Sequence, residues 1–361
     1  MHVGQLQQGI PGGIGRVTQM LCDELPHHAE IVAFGTGDLR ERRALESRLD
    51  PAVEVRTFGV APARWQYEWW HRYRRPRIDM GVDVCHAPSL AVPPSAAPLV
   101  VSINDVAFLR HPDAFTRHGV RFHKAGLAVA RREAAAVIVP SRFTRDELVR
   151  EGFDPGRIHH VPLAVRSPEP ASVRLSRDRL GRLGVSSPYL LAVGTIEPRK
   201  DHASIVAALE RLRTRRPELS LVVAGASGWL PAKTAPPLAW PGVVACGPVS
   251  DAELDALYRH AEVVVNASVY EGFGLTVLEA LTRGCAVVAS RIPAHVELVG
   301  DGARLFPPVD VSALAAETEG LLRHPNTRAE LAHAALRRSG RFTISAMIAG
   351  HLATYAAVHR L

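Results

Sequence analysis

Two cations and two carboxylates in the second half of this 361-residue chain stand where they could bind a phosphorylated ligand. Arg199 and Lys200 end the segment GTIEPRK, and Thr195 to Lys200 lie just past the apolar run LLAV. Two fixed cations at such a place stabilise the negative charge that develops on a diphosphate as a bond to it breaks. They then favour the transition state over the ground state. The bland alternative is a solvated charged turn. Glu271 and Glu279 lie in ASVYEGFGLTVLEALTRG, after a second apolar run, EVVVNAS. Gly272, Phe273 and Gly274 make an open-backboned turn, and Leu275 begins a helix whose free N–H groups face a ligand. Thr276 follows in the same helix. A loop carboxylate can bind sugar hydroxyls, and one further into the helix can reach the ribose of a nucleotide. Each glutamate alone reads as a surface residue. The whole string does not, because a glycine-flanked loop between a buried strand and a helix is where a ligand binds.

These residues need strands to hold them. Short runs of Val, Ile and Leu predict strands at 31–34, 99–103, 136–139 and 160–163, then at 190–193, 219–224, 242–246, 263–266 and 286–289. Consecutive apolar positions argue for strands covered on both faces, as in a parallel sheet between helices. Thr144 with Glu147 and Ser250 with Glu253 read as capping boxes, and 200–215 as a helix. The Pro/Ser/Arg-rich stretch between Val165 and Ser187 reads as a linker. The expected fold is α/β, with two doubly wound Rossmann-like domains facing across a cleft. Their bounds are 1–167, a linker at 168–186, and 187–343, with a last helix at 344–361.

Pro11-Gly12-Gly13-Ile14-Gly15 is expected to follow a short strand and to open a helix. Glycines let backbone approach a phosphate, and a helix N-terminus favours anions. A tight strand-to-helix turn explains them equally well. A nicotinamide-binding fingerprint would want an acidic residue closing the second strand, but EIVAFGTG ends in glycine and threonine, which argues against a dehydrogenase.

Together these segments resemble the GT-B glycosyltransferases of family 4, the retaining group that includes many bacterial mannosyltransferases. The string Glu271-x7-Glu279 with its GFG insert is the most specific mark, and Gly194–Lys200 (GTIEPRK) the second. VIVPSRFTRDEL (137–148), VVASRIPAHVELVGDGARLFPP (287–308) and the N-terminal glycine loop add to it, so the resemblance spans nearly the whole chain. It implies that Gly12 and Gly13 approach the donor phosphate and that Arg199 and Lys200 clamp the diphosphate. Glu271 and the backbone of 272–275 would hold the transferred sugar. Glu279 would bind ribose, and the backbone near Val249 would meet the base. The last helix would cross back to the first domain. The implied activity is retaining, metal-independent transfer of a hexose from GDP-mannose or another nucleotide-diphosphate sugar to a hydroxyl of a small-molecule, lipid-linked or glycan acceptor. The nucleotide sugar is a co-substrate, and no cofactor is expected.

Two positions depart from the family pattern. In VVSINDVAFL, Asn104 stands where relatives have a histidine that touches the donor sugar, followed by Asp105. Asn can donate and accept hydrogen bonds but cannot carry a proton charge. Either the sugar's hydroxyl pattern differs or catalysis is weakened. Thr276 replaces the usual proline, with a small expected effect and one added contact to the sugar. A GT-B nucleotide-sugar epimerase and a weakened nucleotide-sugar binder stay open as alternatives.

Composition narrows the setting. Hydrophobic residues at 47% and charged residues at 22% fit a soluble globular protein. The four cysteines form no C-x-x-C pair, and Cys22 and Cys285 read as small core residues. No apolar run reaches the roughly 18 residues of a membrane span, and no signal peptide is read at the start. A cytoplasmic protein is expected. The net charge of +7 suits a phosphorylated substrate or an anionic membrane face better than nucleic acid, for which no motif is present. Trp65, Trp69 and Tyr73, in the basic stretch 63–77, share one helical face. They are expected to pack on the first domain with arginines outside, a membrane-surface or acceptor-lining helix being the alternative. His118, Arg121, His123 and Lys124 read as acceptor-side residues or as an exposed basic helix.

Overall fold

A computed structural model describes residues 1–9, 12–59, 63–167, 173–228 and 239–360. Contacts divide the chain into two units, Met1–Leu163 with Ile344–Leu361, and Ala164–Thr343. In the first unit, β1 (Val32–Thr36) and β2 (Glu54–Phe58) pair in parallel. A second parallel sheet runs in chain order through β3 (Cys85–Ala87), β4 (Leu99–Ser102), β5 (Ala136–Val139) and β6 (Ile158–His160). Every residue of β3, β4 and β5 is buried, as strands covered on both faces require. The helix Ile344–His359 belongs to this unit, where Tyr355 OH and His86 Nδ1 of β3 lie 2.8 Å apart.

Several expectations change here. The strand expected before the glycine loop is only a bridge, His2 to Phe34, followed by a 3-10 turn at Gly4–Gln7. Gly12 and Gly13 are the first residues of the helix Gly12–Glu24. Pro11 lies outside the described residues. The helix Arg142–Arg150 is capped by Ser141, whose hydroxyl accepts from Thr144 N, so Thr144 and Glu147 are inside it. Strand β6 begins before 160 and ends there. The helix Ala63–Tyr73 does form, but it buries Tyr67 and Trp70 and leaves Trp65, Trp69 and Tyr73 in solvent. The helical period was legible and the buried face was not: Tyr67 and Trp70, three apart, make the core stripe.

The second unit has one six-stranded parallel sheet. Its strands are β7 (Tyr189–Val193), β8 (Ser220–Ala224), β9 (Val243–Gly247), β10 (Val263–Asn266), β11 (Val287–Ser290) and β12 (Arg304–Phe306). Their order is β12-β11-β10-β7-β8-β9. The chain winds outward from β7 to β9, then returns to the other side of β7 and winds out again, which is a doubly wound sheet. Ser250 and Glu253 form the expected capping box of the helix Asp251–His260. The helix expected at 200–215 is His202–Arg213, begun by Asp201, whose side chain accepts from Ser204 N. Within the stretch read as linker, Val173–Arg182 is a helix packed against Asp251–His260. Residues 168–172 lie outside the described residues. Cys22 and Cys285 are buried and unbridged, and no described helix is long and apolar enough to cross a membrane.

Both units bury histidines. Burial lowers His2 to about 3, and burial with the nearby Lys200 lowers His202 to about 4, against 6.5 for an ordinary imidazole. The folded protein refuses protons that the unfolded chain accepts above these values. Their contribution to stability is therefore full above pH 6.5 and is lost as pH falls toward 4. Urea unfolding across that window should show a steady fall for the wild type. In His202→Gln the slope should be smaller by up to about 1.4 kcal/mol per pH unit, one proton's worth. Parallel curves for the two proteins would exclude His202 as a titrating group.

Candidate functional site

The topology of the second unit indicates where a ligand goes before any side chain is considered. Strands β7 and β10 are neighbours, Val263 facing Leu190 and Val264 facing Leu191, yet their following connections diverge to opposite sides. Such a switch point opens a crevice outside the carboxyl ends of the strands. The loop after β7 carries Thr195, Arg199 and Lys200. The loop after β10 carries Glu271, Gly272, Phe273 and Gly274. The two are stitched together by the backbone, Val269 N donating to Arg199 O at 2.9 Å. At the end of β8, a Cβ on Gly225 would lie 2.0 Å from Gly194 O, so only glycine lets the segment after β8 approach the loop after β7 so closely.

Glu271 is the centre of the cluster. It is 8% exposed, and its two oxygens are held from three sides. Oε2 accepts from Arg199 Nη1 at 2.8 Å, and Oε1 from Lys200 Nζ at 2.5 Å and Ser268 Oγ at 2.8 Å. Arg199 also donates to Glu197 Oε1 at 2.6 Å and to Tyr270 O at 2.9 Å. Burial alone would push the Glu271 carboxyl up, but Lys200 and Arg199 together hold it well below the usual carboxylate range. Arg199 and Lys200, read as a diphosphate clamp, are thus paired with carboxylates in this state. Two cations meet two carboxylates, so the cluster is near neutral.

Glu279 is also buried. Its Oε2 accepts from Tyr258 OH at 2.9 Å, and Arg283 donates to its backbone carbonyl at 3.1 Å. It belongs to the helix Leu275–Thr282, which starts from Gly274 at φ 101°. Thr276, expected to touch a sugar, accepts from Asn266 Nδ2 at 3.1 Å. Asn266 Oδ1 in turn accepts from Ser268 N at 3.0 Å. Phe273 packs its ring on Phe342 at 5.7 Å. Val249 sits between β9 and the cap at Ser250.

The remaining candidates belong to the first unit. Gly12 adopts φ 64° at its helix start, where a Cβ would meet nothing within 4 Å, so backbone conformation rather than crowding explains it. Gly13 follows it. Asn104 O accepts from Thr144 Oγ1 at 3.3 Å, and Asn104 lines a small cavity with Ile14, Val17, Ser102 and His351. Asp105 Oδ1 accepts from Ala107 N at 2.9 Å and so holds the start of the short helix Ala107–Arg110.

Sequence reasoning passed over Glu197, Ser268, Tyr258 and His295. The first lies inside the GTIEPRK motif, where a carboxylate two residues before Arg199 was the available signal. Tyr258 comes from another helix, and only packing brings it to Glu279. His295 is fully buried, and burial lowers its pKa while Glu271 opposes the shift. Its ring is therefore neutral. Nδ1 lies 2.9 Å from Ser290 O, a pure acceptor, so Nδ1 carries the proton and Nε2 presents a lone pair. The ring forms a wall under the GFG turn: a Cβ on Gly274 would lie 3.0 Å from His295 Cδ2.

Known proteins share both halves of this pattern. Residues 11–167 match the model for Glycosyltransferase Family 4, and residues 181–338 that for Glycosyl transferases group 1. The chain belongs to the family 4 type of glycosyltransferases. It is 29% identical over 250 residues to O-antigen chain mannosyltransferase B of Escherichia coli, covering 64% of this chain and 63% of that protein. It is 34% identical to the MMP alpha-(1->4)-mannosyltransferase of Mycolicibacterium hassiacum, covering 58% and 51%. The chain thus matches 63% and 51% of the length of these curated relatives. Among solved structures, Anabaena HepE in complex with UDP and glucose aligns with a TM-score of 0.71 at 18% identity, covering 97% of each chain. A sucrose-phosphate synthase from Thermosynechococcus elongatus aligns at 0.68 and 17% identity, covering 95% and 92%. These likenesses give the GT-B fold.

Tyr258→Phe should cost about 1.5–3 kcal/mol of unfolding free energy, the usual loss for a hydrogen bond to a charged group. Gly274→Ala should be destabilising too, through both its positive φ and its clash with His295. Adding His295→Ala should recover only part of the Gly274→Ala loss. Full recovery in thermal unfolding would show that crowding, and not backbone conformation, explains the glycine.

Proposed function

We propose that this protein is a retaining glycosyltransferase that moves a hexose from a nucleotide-diphosphate sugar to an acceptor hydroxyl. The observation that carries this is Glu271 held by Arg199 and Lys200 at the switch point between β7 and β10. A diphosphate entering there competes with Glu271 for the two cations. As the cations turn to phosphate, the carboxylate is released to accept from the sugar's hydroxyls. Leaving-group charge is then met by Arg199 and Lys200, and the released oxygens of Glu271 fix the ring. These fixed cations supply the role a metal would otherwise take, which supports a metal-independent reaction.

Glu279, oriented by Tyr258, would take the ribose hydroxyls, and the backbone near Val249 would meet the base. Two mannosyltransferases among the relatives favour a mannose donor such as GDP-mannose, while HepE was solved with UDP and glucose. Retention follows the family pattern, in which the donor phosphate takes the acceptor proton. That pattern gives Gly12, Gly13, Asn104 and Asp105 parts in transfer as well, with Asn104 unable to act as a charged donor.

A thermal-shift panel of GDP-, UDP-, ADP- and dTDP-sugars identifies the donor, since a ligand at 100 times its Kd stabilises by about 2.7 kcal/mol. Lys200→Ala should lower kcat by roughly 10²- to 10³-fold, as loss of one charge-stabilising donor does. Glu271→Gln, which keeps the shape, should abolish sugar transfer while the protein remains folded by circular dichroism. Full activity in both variants would defeat the proposal. Altered or hydrolysed donor formed without acceptor would point to an epimerase instead.

A further inference from the structure

The helix Ala63–Tyr73 has a second face that the core does not use. Trp65, Trp69 and Tyr73 are 57%, 50% and 47% exposed. At spacing i, i+4, i+8 they form a row about 12 Å long on one side of the helix. Large aromatics grouped in this way on a surface mark a place where something docks.

The helix Arg117–Glu133 packs beside it. Phe122 meets His71 with ring centroids 4.8 Å apart, and His118 Nδ1 lies 3.3 Å from Glu68 Oε1. Its outward side chains include Arg117, Arg121, Lys124, Arg131 and Arg132, all exposed. Residues 63–77 and 117–133 together hold ten Lys and Arg against two Glu, a net of +8. The whole chain is only +7, so its basic excess is concentrated on these two segments. Both acidic groups are already engaged, Glu68 by His118 and Glu133 by Arg74 and Arg132.

We propose that this two-helix face docks on an anionic phospholipid bilayer. The rings sit at headgroup depth, and the cations of the neighbouring helix meet lipid phosphates. The ring packing favours lipid over nucleic acid or glycan. Trp69 and Tyr73 are in mutual contact, with centroids 4.4 Å apart and planes tilted by 48°, and the Arg72 guanidinium lies 5.3 Å from the Tyr73 centroid. A base or a sugar ring needs an open aromatic face to stack on, and the Tyr73 ring is already flanked on this helix. A bilayer interface needs no such slot, because it takes up the outer edges of the row from one side.

The test is co-sedimentation of the full chain with vesicles of phosphatidylcholine alone and of phosphatidylcholine mixed with phosphatidylglycerol. The wild type should pellet with the phosphatidylglycerol vesicles, remain in solution with the others, and be released by high salt. Arg117→Gln/Arg121→Gln/Lys124→Gln should weaken binding by on the order of 100-fold, at roughly five-fold per charge. Trp65→Ser/Trp69→Ser/Tyr73→Ser should also weaken it, and both triple variants should melt as the wild type does because every altered residue is exposed. Brominated lipid should quench the wild type's tryptophan emission, a readout that needs no variant. Failure to bind phosphatidylglycerol vesicles, binding that neither triple variant weakens, or binding of single-stranded RNA in place of vesicles would each overturn the proposal.

Discussion

The second unit is arranged around a carboxylate that water does not solvate. Removing an ion such as Glu271 from water costs several kcal/mol, and the loss is offset only if charges and hydrogen bonds replace the hydration. Arg199, Lys200 and Ser268 provide that replacement. They can do so only because β7 and β10 are adjacent in the sheet, which brings the loops that leave them into contact before the chain diverges. Fold and site are therefore one constraint. Were β10 to pair elsewhere, Glu271 would lose both cations, and Lys200 would be buried without a carboxylate.

The same pairing gives the cluster its chemical character. With Glu197 and Glu271 set against Arg199 and Lys200, the folded protein carries no large uncompensated charge at this point. An anionic ligand on the proposed reading must therefore exchange partners rather than fill a waiting positive pocket. Such an exchange couples two events, phosphate capture by the cations and release of Glu271 toward hydroxyls. A neutral sugar without its diphosphate would gain only the second and would have to break the ion pairs to do so.

What the sequence made legible follows from burial. Strands β7, β8, β10 and β11 read as unbroken apolar runs because they are buried almost throughout, and the ends of β7 and β10 lead into the segments that hold Arg199, Lys200, Glu271 and Glu279. Strand β12, RLF, was not among the expected ones, being three residues long and only partly buried. Strand β2, EVRTF, did not read so, since most of it is only partly buried and its polar residues interrupt the run. Strand β3 has three residues, too few for any period to show. In the helix Ala63–Tyr73 either aromatic stripe was consistent with the period, and only the packing of Tyr67 and Trp70 decided which side faced inward. Tyr258 and His295 carried no local signal at all. Each meets the site from a separate helix, and contacts of that kind are written in tertiary packing rather than in spacing.

Thr276 shows how a departure that looks minor in sequence can reach the centre of the site. Its hydroxyl accepts from Asn266 Nδ2, Asn266 Oδ1 accepts from Ser268 N, and Ser268 Oγ donates to Glu271. Three hydrogen bonds thus run from the first turn of the helix Leu275–Thr282 to the buried carboxylate. A proline at 276 has no hydroxyl, so Asn266 would need another acceptor or would turn, and the amide of Ser268 would lose its fixed partner. In this chain the threonine and the asparagine act as a pair. The position of Glu271 is set by the end of β10 as much as by the cations that neutralise it.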